Sequence, residues 1–229
     1  MTSPPLQFIH VSKGFVVVDK PSGLLSVPGI GPDKQDCVIS RVRDAFPEAT
    51  GPMMVHRLDM DTSGLLIVAL NEACQRSLSR AFEERAVGKR YAAVLEGDVS
   101  ADRGVISLPL RLDVDRRPYQ IVDFVHGREA VTRFEVLERV DGASRVRFEP
   151  LTGRTHQLRV HSATPQRLHQ ADPARREDQS TGGLGAPIRG DPLYGVREPH
   201  TRLWLHSELL AFPDPDTGST REIRREAPF

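Results

Sequence analysis

The stretch His56-Arg57-Leu58-Asp59-Met60-Asp61-Thr62-Ser63-Gly64 runs without a break into the apolar residues Leu65–Leu70 (LLIVAL), and that junction organises the reading of the chain. Six apolar residues are far short of the roughly 18 a membrane helix needs, and they suit a short buried strand. Asn71 then offers a helix N-cap, and Cys74, Leu78, Phe82 and Ala86 recur at helical spacing, which predicts a helix ending near Gly88. Upstream, Gly14–Lys20 (GFVVVDK) predicts a buried strand that enters a Pro21-Ser22-Gly23 turn. Downstream, Arg90–Leu95, Gly104–Leu108, Tyr119–Phe124, Val131–Leu137 and Arg145–Glu149 predict strands, the last with Val146 and Phe148 on one face. Thr152-Gly153 interrupts the chain before a helix expected from Arg154 to about Ser162. A further strand is expected at Leu203-Trp204-Leu205, ahead of an acidic, proline-broken tail. Strands outnumber helices and arrive in runs. The expectation is therefore a single α+β domain over residues 1–229, with a mixed, largely antiparallel sheet flanked by helices and loops.

Composition narrows the function classes. The chain has 229 residues, 38% hydrophobic and 27% charged, as in a soluble globular protein. The start, MTSPPLQFIH, lacks the basic and apolar pattern of a signal peptide, so a cytoplasmic location is expected. Cys37 and Cys74 stand far apart with no ligand spacing and read as reduced core residues. Formal net charge is zero, and the positive charge is carried almost entirely by arginine, the only lysines being Lys13, Lys20, Lys34 and Lys89. A nucleic-acid partner would have to bind at a local arginine cluster, because there is no overall positive field to hold it. The polar, then Gly-rich stretch Thr164–Gly185 shows no apolar periodicity and reads as a surface insertion, and Arg197–Thr201 reads as a loop.

The familiar motifs for phosphate binding, dinucleotide binding, zinc proteolysis and the serine elbow are missing from the sequence. His156 and His161, five apart, suit no zinc pair, so no metal is expected. Polar residues concentrate instead in two segments: His56–Gly64, and Leu151-Thr152-Gly153-Arg154-Thr155-His156-Gln157-Leu158-Arg159. An aspartate ahead of a strand, such as Asp59, is a turn residue in most proteins, and a reactive carboxylate is the other reading. On the expected second helix, Arg154, Leu158 and Ser162 share one face while Arg159 points elsewhere. A cation at a helix N-terminus is mildly unfavourable, which suggests an anionic partner for Arg154. Pairing with Asp59 would keep that carboxylate ionised.

The order HRLDxxTSG, a Lys-Arg-Tyr strand, and GRTHQLRVH resembles the RluA family of pseudouridine synthases. VVDKPSGLLSVPG (17–29), PIRGDPLYG (187–195) and LWLHS (203–207) extend the resemblance over nearly the whole chain. The likeness is greatest to the short members without an extra N-terminal RNA-binding domain. It implies the pseudouridine synthase fold, with Asp59 as catalytic residue and Arg57 displacing the target base. It also implies that Tyr91 packs on the uracil and assists proton removal at its fifth carbon, that Arg154 pairs with Asp59, and that Leu158 lines the pocket. Asp61 falls at a variable motif position and reads as a turn or surface acid. The Thr164–Gly185 excursion departs from the short connection usual in the family, which bears on substrate choice.

The implied substrate is a stem-loop of ribosomal RNA, transfer RNA or both, bound by a monomer with no role for a membrane. Isomerisation neither adds nor removes atoms, so no cofactor is implied. Asp59 either attacks the anomeric carbon or removes a sugar proton, and both routes stay open. Two rivals also stand: an idle RNA-binding module, for which Asp59 would be dispensable, and a nucleosidase or base exchanger, for which Asp61 is the only nearby second carboxylate.

Overall fold

The computed structural model describes residues 5–166, 182–196 and 202–229. In chain order the elements are β1 (Gln7–Val11), β2 (Phe15–Lys20), α1 (Val38–Ala45), β3 (Ser63–Ala69), α2 (Glu72–Glu83), β4 (Gly88–Glu96), β5 (Arg103–Ser107), β6 (Leu110–Leu112), β7 (Gln120–Val122), β8 (Val131–Val140), β9 (Ala143–Pro150), α3 (Gln157–Ala163), β10 (Leu205–Pro213) and β11 (Thr220–Arg224). The fold class is α+β with mostly antiparallel strands, as the run of strands predicts. The chain divides into two compact units: Met1–Lys89 with His206–Phe229, and Arg90–Leu205.

In the first unit β1 pairs antiparallel with β2 and β2 with β3, while β3 meets β10 in a parallel pair, His206 opposite Ser63 and Ser207 opposite Gly64. The chain then turns back, and β11 pairs with β10. Every residue of β3 is buried, as the unbroken apolar run requires of a strand covered on both faces. The core gathers Phe15 and Val17 of β2, Leu65 and Ile67 of β3, Leu78 of α2, and Leu210 and Phe212 of β10. Asn71 caps α2 through its side-chain oxygen, which accepts from the amide of Cys74 at 2.9 Å. The helix stops at Glu83, short of the expected Gly88, because Arg85 takes a left-handed φ of 60°.

In the second unit β9 pairs antiparallel with β4 and β8, and β8 with β5; β6 and β7 form a separate hairpin. Val146 and Phe148 are fully buried on one face, as the alternation predicts. The strand expected over Tyr119–Phe124 shrinks to three residues, because the Asp123 carboxylate accepts from the amides of Val125 and His126 and forms a turn.

Further differences follow from local chemistry. α3 begins at Gln157, three residues later than expected, because His156 occupies the left-handed region with φ 54°. Arg154 therefore precedes the helix. The strand expected at Leu203-Trp204-Leu205 begins at its last residue and runs on: β10 extends from Leu205 to Pro213 and forms a hairpin with β11. β1 and α1 have no counterpart among the expected elements. Cys37 and Cys74 are both free and buried, and the Cys37 thiol also caps α1 by accepting from the amide of Ser40.

Most of the Thr164–Gly185 excursion, residues 167–181, lies outside the described residues, as does the 197–201 loop. The described ends of the excursion are held together: the amides of Gly183 and Gly185 donate to the carbonyls of Pro165 and Thr164 at 2.9 and 2.8 Å. Among the described residues, no helix is long and apolar enough to cross a membrane.

Candidate active site

Asp59 lies in the first unit, half-buried, in the connection that leads into β3, with Leu58 buried on one side and Met60 exposed on the other. Its backbone is held by the segment Lys20–Ser26 at the end of β2. The hydroxyl of Ser26 donates to the carbonyl of Leu58 at 2.6 Å and accepts from the Leu58 amide at 3.1 Å. The amide of Gly23 and the ammonium of Lys20 both donate to the carbonyl of Met60, at 2.9 and 2.8 Å. The hydroxyl of Ser22 donates to the carbonyl of Asp61 at 2.7 Å. The residues on both sides of Asp59 are thus fixed by short polar side chains and one buried lysine, an arrangement that limits where its carboxylate can travel.

Lys20 is fully buried. Its three donors meet the carbonyls of Leu24 at 2.7 Å, Met60 at 2.8 Å and Pro21 at 3.0 Å, the full complement an ammonium can make. Burial lowers its pKa to about 7, opposed by the charges of Asp61 and then Asp59. Lys20 thus places a cationic group beneath a loop carrying two carboxylates.

The same loop ends in a close approach. Gly64 has φ 108°, and a Cβ there would lie 2.6 Å from the backbone nitrogen of Ser207 and overlap its carbonyl oxygen. The glycine of the TSG segment is required because β10 passes directly against it. Ser63 Oγ lies 2.8 Å from His206 Nδ1, both buried, which ties the first motif to LWLHS through side chains as well as backbone.

His56, at the head of the motif, is a packing residue. Its Nε2 accepts from the amide of Ile67 at 3.0 Å, and its ring stacks on Phe82 with centroids 4.4 Å apart. Burial, helped by the charge of Lys89, lowers its pKa to about 3 and keeps the ring neutral. Arg57, next in sequence, is exposed.

The remaining expected residues belong to the second unit. Tyr91 is 9% exposed on β4, opposite Phe148 of β9. Leu158 is buried on α3. Arg154 is half-buried, with Nε donating to the carbonyl of Glu129 at 2.9 Å and its amide donating to Gln157 Oε1 at 2.9 Å. The structure brings Arg57 and Asp59 together in one loop, and Arg154 and Leu158 at the entry to one helix.

That entry is built by side chains that carry no functional signal in the sequence. Gln157 is fully satisfied: Oε1 accepts from Thr152 Oγ1 and from the Arg154 amide, and Nε2 donates to the Val131 carbonyl and to Thr132 Oγ1. His161 completes the set, with Nδ1 at 3.0 Å from Thr132 Oγ1 and Nε2 at 3.3 Å from the Leu108 carbonyl; burial lowers its pKa to about 4. Arg159, expected to point away, is instead 2% exposed in a two-pronged ion pair with Asp191, at 2.7 and 2.8 Å. Asp191 also accepts from the amides of Leu193 and Tyr194. The Tyr194 ring lies under the Arg159 guanidinium, and its hydroxyl contacts His156 Nδ1 at 2.8 Å and accepts from the Gln120 amide at 2.7 Å. The GDPLYG segment is therefore the structural floor of GRTHQLRVH. Its signal in the sequence is an arginine inside an otherwise buried helix, which needs a buried acid.

Among the described residues, no group of three or more His, Cys, Asp or Glu side chains is placed to hold a metal. Residues 14–164 match the model of the RNA pseudouridylate synthase family.

The chain belongs to the RNA pseudouridylate synthase family.

The dual-specificity RNA pseudouridine synthase RluA of Yersinia pestis is 40% identical over 225 residues, covering 96% of this chain and 98% of that protein. The protein of the same name from Haemophilus influenzae is 40% identical over 230 residues, covering 99% and 95%. Among solved structures, human RNA pseudouridylate synthase domain containing 1 superposes with a TM-score of 0.74 at 33% identity, covering 98% of this chain and 84% of that one. The RluA family is the one the motifs point to, and its members are RNA pseudouridine synthases. The activity of the chain is accordingly that of an RNA-modifying isomerase. The matched span contains both polar segments, His56–Gly64 and Leu151–Arg159, together with the clamp at Lys20–Ser26.

Proposed function

We propose that Asp59 is the carboxylate that drives isomerisation of a uridine in a folded RNA. The observation that carries this reading is the clamp on its loop, since Leu58, Met60 and Asp61 are each held through backbone groups by residues 20–26 while the Asp59 side chain is left half-buried. A group that must meet a sugar carbon at fixed distance needs such a backbone. The reaction breaks the bond from the sugar to uracil nitrogen N1 and forms one to C5; the C5 proton leaves and N1 gains one. Asp59 acts ionised, by attack on the anomeric carbon or by removal of a sugar proton. The uridine reaches it flipped out of the RNA. The exposed guanidinium of Arg57 takes the place of the base in the stack. Tyr91 packs on the ring and assists at C5, Leu158 closes the pocket, and Arg154 serves as counter-ion to Asp59.

In this reading residues 1–229 act as one catalytic domain, a monomer in the cytoplasm, without a cofactor. The substrate is a stem-loop of ribosomal RNA, transfer RNA or both. The dual specificity in the names of the relatives supports more than one RNA. The closed neck of the 164–185 excursion supports an insertion that leaves the framework intact.

The test uses RNA tritiated at C5 of uracil. The protein should release tritium with no loss of base or chain mass, and Asp59→Asn should bind the RNA and release none. Free uracil in the supernatant would overturn isomerisation, and undiminished release by Asp59→Asn would overturn the role of Asp59.

A further inference from the structure

α3 is entered through a tight turn. The amide of Gln157 donates to the carbonyl of Arg154 at 3.1 Å, closing a four-residue turn in which Thr155 keeps a negative φ and His156 has φ 54° and ψ 17°. A turn of that shape suits glycine at its third residue, because a β-carbon there crowds the backbone. The chain has a buried histidine instead. Its Nδ1 lies 2.8 Å from the Tyr194 hydroxyl, and the two rings meet edge to face with centroids 5.6 Å apart. The hydroxyl already accepts from the Gln120 amide at 2.7 Å, which leaves its single hydrogen for Nδ1 and assigns the ring proton of His156 to Nε2. Tyr194 is itself held fast: its amide donates to Asp191 Oδ1 at 3.0 Å, the Arg159 guanidinium covers its ring, and Tyr119 packs against it edge-on.

The backbone angle at His156 decides where Arg154 stands. With His156 in the right-handed region, α3 would start at Arg154, as the sequence pattern predicts. Arg154 would then share a face with Leu158 and Ser162, both of which are buried. The turn takes Arg154 off that face and leaves it half-buried, with its Nε on the Glu129 carbonyl and its amide on Gln157 Oε1, each at 2.9 Å. A histidine in a conformation that costs energy needs something to hold it, and strain of this kind persists where the surroundings over-determine it. The Tyr194 hydroxyl supplies that hold from the side-chain end.

We propose that Tyr194, acting through His156, is the positioning residue that sets Arg154 for the reaction. The proposal rests on the reading above, in which Arg154 serves as counter-ion to Asp59. Tyr194 itself takes no part in proton transfer. Its hydroxyl latches the left-handed turn, the turn keeps Arg154 out of the helix, and the guanidinium is thereby presented in one place. Because the same hydroxyl receives the Gln120 amide of β7, the latch also ties the β6–β7 hairpin to the entry of α3.

The test uses Tyr194→Phe, which keeps the ring and its packing and removes only the hydroxyl, with Arg154→Met as the reference. Thermal melts establish that each variant is folded at the assay temperature. For Tyr194→Phe, kcat on RNA tritiated at C5 of uracil should fall about tenfold or more while RNA affinity holds. The acid limb of its pH profile should move up by about one pH unit, the change expected when a carboxylate loses an arginine neighbour. Adding His156→Gly should restore most of the lost turnover, since glycine takes the left-handed conformation without a latch; adding His156→Ala should not. A variant that is merely loosened would lose turnover with no movement of the limb and no rescue by glycine, and that result would overturn the proposal. So would full turnover by Tyr194→Phe beside an impaired Arg154→Met. Full turnover by Arg154→Met would instead count against the counter-ion reading and take the latch with it.

Discussion

The ammonium of Lys20 lies 2.8 Å from the carbonyl oxygen of Met60, the residue that follows Asp59, and the lysine is shielded from bulk water. A buried lysine with three carbonyl acceptors holds the loop by charge as well as by hydrogen bonds, and its removal strands all three acceptors.

Lys20→Met keeps the stem and deletes the charge. An unsatisfied buried polar group costs about 1–3 kcal/mol, so with partial relaxation the variant should lose about 3 kcal/mol of stability in denaturant titrations. Its kcat should fall at least tenfold while RNA affinity holds, because the loop and not the RNA surface is disturbed. Burial lowers the pKa of Lys20 from 10.5 to about 7. Between those values the unfolded chain holds a proton that the native lysine has shed. The stability of the wild-type chain relative to Lys20→Met should therefore rise with pH from about 7 to 10.5 and be flat below.

Gly64→Ala tests the close approach of β10. The new methyl would overlap the Ser207 backbone at a φ of 108°, so stability should drop by about 3 kcal/mol. Gly142→Ala, at φ 70° with nothing within 4 Å, should cost about 1 kcal/mol. Equal melting temperatures for the two variants would contradict the steric account.

Arg159→Met leaves Asp191 charged and buried, and should cost about 3–5 kcal/mol. Arg159→Met/Asp191→Leu removes both charges and should cost clearly less than the two single changes summed. A double-mutant cycle in urea measures the coupling; additivity would mean that the pair is not mutually dependent.

His161 is held neutral by burial, with a pKa of about 4 against 6.5 for an exposed imidazole. As pH falls through that window the unfolded chain takes up a proton that the native ring refuses. Stability is full above about pH 6.5 and should decline by about 3 kcal/mol toward pH 4. Imidazole NMR titration reads the native value directly, and His161→Gln should remove its share of the decline and leave that of His56, whose ring burial also keeps neutral. A native ring that titrates near 6.5 would rule this out.

The strands are legible in the sequence where apolar residues run or alternate. Leu65–Leu70 and Val146/Phe148 announce themselves because a strand has only two faces and burial marks one or both. Boundaries are not, because they turn on single backbone angles: Arg85 and His156 end or delay a helix by entering the left-handed region, and neither residue type signals it. Asp59, Arg57, Tyr91, Arg154 and Leu158 are the residues that motif order proposes for the site. The groups that support them are present in the motifs, but nothing local marks them as supports. KPSGLLS looks like a turn until Lys20 is seen to reach Met60 across 40 positions. Asp191 looks like a loop acid until Arg159 is found beside it. Pairings between distant positions leave no local pattern, so a single sequence displays the residues and conceals which of them meet.

Ser63 finds its partner His206 143 positions further along the chain, and the core around Leu65 requires Leu210 and Phe212. During synthesis at about 5–20 residues per second, the Asp59 segment emerges many seconds before the strand that packs beside it. Until then its lateral support comes from β2 and the Lys20–Ser26 segment alone. A nascent chain can form the Lys20 clamp, but the contacts of Ser63 with His206 and of Gly64 with Ser207 form only when β10 is in place. Translation thus sets an order of assembly: a chain that stops before residue 206 lacks the strand that completes the β3 core, and it should fail to modify RNA however intact its HRLD sequence.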